Sequence, residues 1–521
     1  MIRGPFSQAA LTLNVLTLIF FLQVVAGTAV ARDLHVRNPS QWEKAQEAAR
    51  PGDALILEKG DWKDFKMVVT KGGSATRPLV IRAETLGETI LVGSSTLEIK
   101  APYVTVDGLY FTRGWIEKGC VIKLGSHHGV IQNTAIVDYN PPSFHTESYW
   151  VFFDGDNNLA DRCYFKGKSN MHPLIGNAIE NSRHNSVVRS CFKNIPINDG
   201  NGREIIRIWG YGKYDEVGTD GAFFTVEANL FDHADGEGTE TISLKSNRNV
   251  VQRNTVIGTR GGINIRRGSF NVVRENIVLG EGIEGAHGLR MSGSNNLVEN
   301  NFVSGCDYGI RISAGEYIKD ALTKDYEPGF SEAVTSGPPQ RTAFYPHVQK
   351  LALLNNVVIG SASADLEIGS DYQKRWPQSQ MVLLPEDCLI KNNRFVRPDG
   401  GASVIGSVVD AGLPFSRFRP KSNHYAGNLL MGGKCKFDEA AKGFKCEGLR
   451  SSWSAEQELS RLKPLTLADV GPAWVIALRQ AGKFQVENAM LEAEAGSDKQ
   501  AGKKQKKKLR QRQARQSSNT I

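Results

Sequence analysis

The chain has 521 residues, 40% of them hydrophobic, with 53 glycines and seven cysteines, which bounds it to one large or several small domains of turn-rich, β-heavy character. No CxxC pair occurs, which argues against a structural zinc site, and an odd cysteine count leaves at least one thiol unpaired within the chain. The formal charge of +8 is a poor guide to partners: ten lysines and arginines against four acids lie from Lys483 onward, and without that tail the mature body is nearly neutral.

In chain order, residues 1–31 read as a secretory signal. A lone Arg3 precedes a long apolar run, and Ala29-Val30-Ala31 supplies small residues before a cut near Arg32. The alternative is an N-terminal membrane anchor. No other stretch approaches the roughly 20 apolar residues of a spanning helix, so the mature protein is expected to be secreted or periplasmic.

NPSQWEKAQEAARPG predicts a short helix from about Ser40, stopped by Pro51-Gly52. From there to residue 447 a short phrase recurs, with apolar pairs flanking an asparagine: Asn229, Asn254, Asn276, Asn301, Asn356 and Asn393. Upstream, Gly108, Asn133, Cys163 and Cys191 continue it loosely. The base step is 22–25 residues, the signature of a solenoid. The segments are short, β-branched and alternating, so they are strands, and the leucine-rich frame is missing. A parallel β-helix fits best, each coil stacking about 4.8 Å from the next. The asparagines suit tight bends, where a left-handed backbone is tolerated and side-chain amides can bond to copies above and below. The N-terminal helix would plug one open end. Residues 315–350 lack the repeat and read as an insertion from one coil. Cys435 and Cys446 are the nearest disulfide pair. Residues 448–482 read as a C-terminal cap segment, and 483–521 as a basic, disordered tail.

Within the repeat, ETISLKS, GGINIRRG, HGLRMSG and YGIRISAG align by their apolar alternation. Ile242/Leu244, Ile263/Ile265, Leu289/Met291 and Ile310/Ile312 take the core phase. Ser243, Asn264, Arg290 and Arg311 then share one outward column, and Lys245, Arg266, Ser292 and Ser313 the next. Lys245 and Arg266 stand 21 residues apart, one short coil. Like charges so stacked cost stability unless they work. A lysine beside an arginine has its ammonium form disfavoured, which suits a base. Such a pair fits abstraction of a proton next to a carboxylate, as at C5 of a uronic acid, where an enolate-like dianion must be neutralised.

These stretches, with ATRPLVIRAE, NGREIIRIW, FTVEANLFDHADGEGTETISLKS and KPLTLADVGPAW, resemble polysaccharide lyase family six, the right-handed parallel β-helix group that contains alginate lyases and chondroitinase B. The resemblance spans most of the mature chain. It implies Lys245 as Brønsted base, Arg266 as general acid or stabiliser of the leaving group, and Arg290 as a binder of substrate carboxylate. It also implies calcium held by Asn201, Glu240 and a glutamate two residues ahead, hard oxygen ligands of the kind Ca²⁺ prefers. That last position is Gly238 here, and the nearest acid is Glu237. Either a bulge brings Glu237 in, or calcium is weak or absent. Arg267 stands where many relatives carry histidine.

The expected activity is β-elimination in a uronate polysaccharide, most simply alginate. Dermatan sulfate is the alternative, with Arg267 and Arg311 as extra sulfate contacts; a C5-epimerase and a non-catalytic polysaccharide-binding solenoid complete the set. Glu204 and Arg207 are expected behind the site or as a buried ion pair, and His233, His287 and Tyr211 as surface or packing residues.

Overall fold

The computed structural model describes residues 30–198, 201–210, 220–318, 345–376, 379–408, 422–449, 454–482 and 484. Nearly all of the expected signal, the middle of the insertion, Tyr211 and nearly all of the basic tail lie outside them.

Three long parallel sheets of 14, 13 and 14 strands run the length of the chain, and each coil contributes one strand to each. Successive coils pair in register, as with Val250↔Val272 and Val272↔Leu297 in the first sheet. The fold is a right-handed parallel β-helix, the hand that parallel crossovers almost always take. Alternation decides what is inside: Ile242, Leu244, Ile263, Ile265, Leu289, Met291, Ile310 and Ile312 are all at most 2% exposed. Aromatic rings stack along the axis as well, Phe165 on Phe192 at 5.2 Å and Phe192 on Phe231 at 4.7 Å.

The asparagine repeat forms a hydrogen-bonded column. Asn229, Asn254, Asn276, Asn301, Asn356, Asn393 and Asn428 are buried, and each of the first six donates Nδ2 to the Oδ1 of the next at 2.9–3.0 Å. The backbone reason differs from the expected one. The left-handed residue is the one before each ladder asparagine, as at Arg253 (φ 56°), Glu275 (φ 56°) and Asn300 (φ 55°). That bend turns the next side chain inward, where only an amide can give and take along the stack. Upstream, the column passes to Ser190 and Thr134 rather than to Cys191 and Asn133, one residue off: Ser190 N donates to Asn229 Oδ1 at 2.8 Å and Ser190 Oγ accepts from Cys163 N at 3.1 Å. A second column, unnoticed in the sequence, joins Asn249, Asn271 and Asn296.

The N-terminal helix, Pro39–Ala48, is capped by Asn38, which accepts from Gln41 N, and it buries Trp42 completely against the first coils. At the other end the short helix Asp438–Ala441 closes the core with Phe437 and Ala440. The segment expected as a cap runs back along the flank instead. Val470, Trp474 and Val475 pack on Tyr110, Ala135, Tyr164 and Leu230 of the third sheet, and Trp474 Nε1 donates to Asn133 O at 2.7 Å. Cys435 and Cys446 form no disulfide, and neither do the other five cysteines. They sit on strands of different sheets, Lys434–Cys435 and Phe444–Glu447, and Cys435 Sγ turns to Phe437 O.

The insertion starts as the strand Gly315–Ile318. It pairs antiparallel with Ser379–Leu383, which in turn pairs with Arg375–Trp376. This small sheet stands beside the outward face of the second long sheet.

Candidate active site

The outward face of the second sheet carries the expected column in register: Arg207, Ser243, Asn264, Arg290, Arg311 and then Glu367. The neighbouring column departs from expectation. Leu244 faces Ile265, but Lys245 faces Arg267, so Arg266 is the extra residue of a bulge. Trp209 precedes Lys245 in that column. The bulge leaves Lys245 and Arg266 partly exposed, with side chains at 13% and 15%, while Arg267 is buried at 6%. Both Lys245 Nζ and the Arg267 guanidinium lie over the Trp209 indole, at 5.2 and 5.5 Å from its ring centre.

Four cations of this face, Lys245, Arg266, Arg290 and Arg311, have carboxylate partners. Lys245 Nζ donates to Glu204 Oε1 at 2.6 Å, so what touches the lysine is an acid and not the arginine expected from sequence. Arg266 Nε lies 3.5 Å from Glu240 Oε1, and Ser243 Oγ donates to Glu240 Oε2 at 2.5 Å. Arg290 pairs with Asp371 at 2.9 Å, and Arg311 with Glu367 at 2.7 Å and Asp371 at 3.6 Å. Tyr345, at the returning end of the insertion, covers the guanidinium of Arg266 at 3.5 Å and that of Arg290 at 4.8 Å. It is seated on Ala314, Met381 and Leu384.

Glu204, Glu237 and Glu240 converge so that one oxygen from each lies within 4.8 Å of the others. Glu237 does reach the site. Gly236 and Gly238 flank it at φ 61° and 79°, and its Oε2 accepts from Gly202 N at 2.8 Å. Burial, then the charges of Glu204 and Glu240, push the Glu237 carboxyl up to about 7. Glu204 is fully buried, and its Oε2 makes no hydrogen bond, with Arg207 Nη1 3.6 Å away. Three crowded carboxylates and an orphaned buried oxygen fit a hard divalent cation. Asn201, one of the expected ligands, is exposed at the lip of the same loop, and the third converging acid is Glu204.

Other expectations resolve simply. His233 is exposed and bonds Asp232, while His287 stacks near Tyr308, its imidazole pushed down to about 4 by burial and then by Arg311 and Arg290. Sequence reasoning missed Trp209, Tyr345 and Asp371. Trp209 lay inside a motif already singled out, and its register with Lys245 was the available signal. Asp371 is 81 residues from Arg290 in a non-repeating turn, and no sequence pattern links them.

A family model described as Chondroitinase B matches residues 36–310. No curated protein matches the chain. Among solved structures, a PL6 family polysaccharide lyase from Pseudopedobacter saltans is 40% identical with a TM-score of 0.74, covering 85% of this chain and 99% of that one. A mannuronic acid specific family 6 lyase from human gut microbiota is 22% identical with a TM-score of 0.68, covering 88% and 100%. The PL6 family alginate lyase AlyGC is 23% identical with a TM-score of 0.70, covering 85% of this chain and 58% of that one. The last two bear on the fold alone.

Proposed function

The chain belongs to polysaccharide lyase family six and is a polysaccharide lyase, and on that premise we propose that it cleaves an unsulfated uronan, alginate, by β-elimination. The observation that carries this reading is the row of Lys245, Arg266 and Arg290 on one outward face beside three converging carboxylates, two of them buried. In the proposed reaction, Lys245 Nζ takes the proton from C5. The C5–H electron pair forms the C4–C5 double bond, the C4–O bond breaks, and the departing oxygen gains a proton at Arg266. Arg290 faces the substrate carboxylate, whose charge grows as the C5 proton leaves.

The state of the arginines supports an unsulfated substrate. The two residues expected to add sulfate contacts are committed elsewhere: Arg267 is buried with its guanidinium over the Trp209 ring, and Arg311 is paired with Glu367. AlyGC is an alginate lyase, and the lyase from human gut microbiota is specific for mannuronic acid. Glu204, Glu237 and Glu240 would hold calcium, with Asn201 at the lip. When bound, the ion would help neutralise the substrate carboxylate. We read the chain as exported, on its N-terminal apolar run; among the described residues no helix is long and apolar enough to cross a membrane.

The test is ultraviolet absorbance of the 4,5-unsaturated uronate as the mature chain meets alginate, polymannuronate, polyguluronate and dermatan sulfate, with and without calcium. Absorbance should rise on at least one of the first three and not on dermatan sulfate. Lys245→Ala should lower the rate by about 10²–10⁴-fold. A rise on dermatan sulfate alone would replace the substrate, and wild-type turnover by Lys245→Ala would remove the base. Silence on all four from folded protein would favour a non-catalytic polysaccharide-binding solenoid.

A further inference from the structure

Well before the Lys245 coil, the solenoid carries a cleft of about 500 Å³ that the proposed reaction does not use. Three consecutive coils line it: Asp64 and Lys66 from one, Ser94 from the next, and Trp115, Glu117 and Lys118 from the third. Trp115 is 37% exposed, the only tryptophan among the exposed large hydrophobic residues described. Its indole offers a flat apolar face with a polar N–H at the edge, the kind of surface on which a sugar ring stacks. It is also firmly mounted. Trp115 N donates to Gly93 O at 2.9 Å, and the next residue, Ile116, is buried at 6%. Opposite, Asp64 is fixed by Ser94 N at 2.8 Å and Ser94 Oγ at 3.1 Å. Gly93 (φ 66°) permits this, since a Cβ there would stand 2.3 Å from Asp64 Oδ1.

The cleft's place in the fold says what would reach it. The Trp115 turn joins Tyr110–Gly114 of the third sheet to Gly119–Leu124 of the second. The Glu237 turn joins Leu230–Ala234 to Glu240–Lys245 at the same corner, four ladder steps further on. At about 4.8 Å per step the two turns are ~19 Å apart along the axis. That span suits a few pyranose units and not one.

We propose that this cleft is a distal subsite holding one pyranose unit of the same polymer that is cleaved at Lys245, and the proposal rests on the lyase reading above. The ring's C–H face stacks on Trp115, and its hydroxyls meet Asp64 and Glu117. Two lysines against two acids leave the cleft balanced in charge, so it recognises the sugar ring more than its carboxylate. The consequence is selective for chain length. A polymer that spans both sites is tethered, which raises its effective concentration at the reacting unit, while a trisaccharide engages only one.

The experiment is Trp115→Ala in the full chain, with kcat and KM measured on polymeric alginate and on an alginate trisaccharide. KM on polymer should rise about two- to tenfold with kcat unchanged and both trisaccharide constants unchanged, and Trp115→Phe should recover most of the loss. In parallel, polymer binding by Lys245→Ala and by Lys245→Ala/Trp115→Ala is compared by affinity electrophoresis at low and high salt. The Trp115 difference should persist at high salt, where the arginine row is screened. An unchanged polymer KM and unchanged binding would overturn the subsite, and so would an equal loss on polymer and trisaccharide. If the wild-type chain cleaves none of the uronans, the lyase reading fails on the kinetic arm, and the binding arm still decides the subsite.

Discussion

Two stacks of side chains run along this solenoid. In the amide column from Asn229 to Asn428, every member is donor and acceptor at once, so identical copies hold one another at 2.9–3.0 Å. In the cation row no copy can bond the next, and each is held by an acid from elsewhere: Glu204 for Lys245, Glu240 for Arg266, Asp371 for Arg290 and Glu367 for Arg311. A neutral, self-complementary group can propagate with the repeat indefinitely. A row of like charge must import its counter-ions, and here two of the four come from loops and turns outside the strands. The chemistry therefore sits where the repeat is broken, and the stability sits where it is kept.

The largest effect expected from breaking the contrast is on the amide column. Asn301→Leu removes a side chain that donates to Val273 O and Asn356 Oδ1 and accepts from Asn276 N and Nδ2. Orphaning buried groups costs about 1–3 kcal/mol each, so the variant should lose at least about 3 kcal/mol, read from its urea midpoint. A loss under about 1 kcal/mol would mean that water or a neighbouring amide repairs the column.

This division also explains what could be read without a structure. The core phase of residues such as Ile263 and Leu289, the solenoid and the amide column follow from periodicity, since each repeats an instruction many times. The outward placement of Arg290 and Arg311 followed from the same phase. Register was legible only up to the bulge at Arg266, because one extra residue shifts which side chains meet, and alternation alone does not announce it. The acids were the least legible. Glu204 looked like a supporting ion pair and is the buried centre of the triad, and Asp371 and Tyr345 reach the arginines from segments without any repeat.

A smaller effect concerns the acids that the cation row has gathered. The Glu237 carboxyl stands at about 7 in the fold against an ordinary 4.5. Below the ordinary value both folded and unfolded chains are protonated there, and nothing is lost. Between the two values the unfolded chain gives up its proton while the fold keeps it. Stability from this group therefore falls as pH rises through that window and levels off above it. In chelator, the melting temperature should drop from about pH 5 to about pH 8, and Glu237→Gln should flatten the drop. Calcium should raise the melting temperature more at the higher pH, because it competes with protons for the same oxygens. An identical slope in Glu237→Gln would assign the pH dependence to other groups.

The smallest effect should come from Asp371, and it sharpens the comparison most. Its carboxylate lies 2.9 Å from Arg290 and 3.6 Å from Arg311, on a turn whose backbone is left-handed at that residue (φ 63°). In the proposed reaction a substrate carboxylate approaches the same Arg290, so Asp371 both prepares that arginine and competes with the substrate for it. Asp371→Asn keeps the side chain's shape and removes one negative charge beside the trough, while Glu367 still restrains Arg311. Charges a few ångströms apart in a wet, high-dielectric setting interact by about 1 kcal/mol, which sets the expected fall in alginate KM at about fivefold at low salt and nearly none at high salt. Binding of dermatan sulfate should gain more, because the freed arginine charge is what a sulfated chain lacks in the parent. A raised KM would reverse the assignment: Asp371 would then act by positioning Arg290, its charge competition with substrate being too weak to matter.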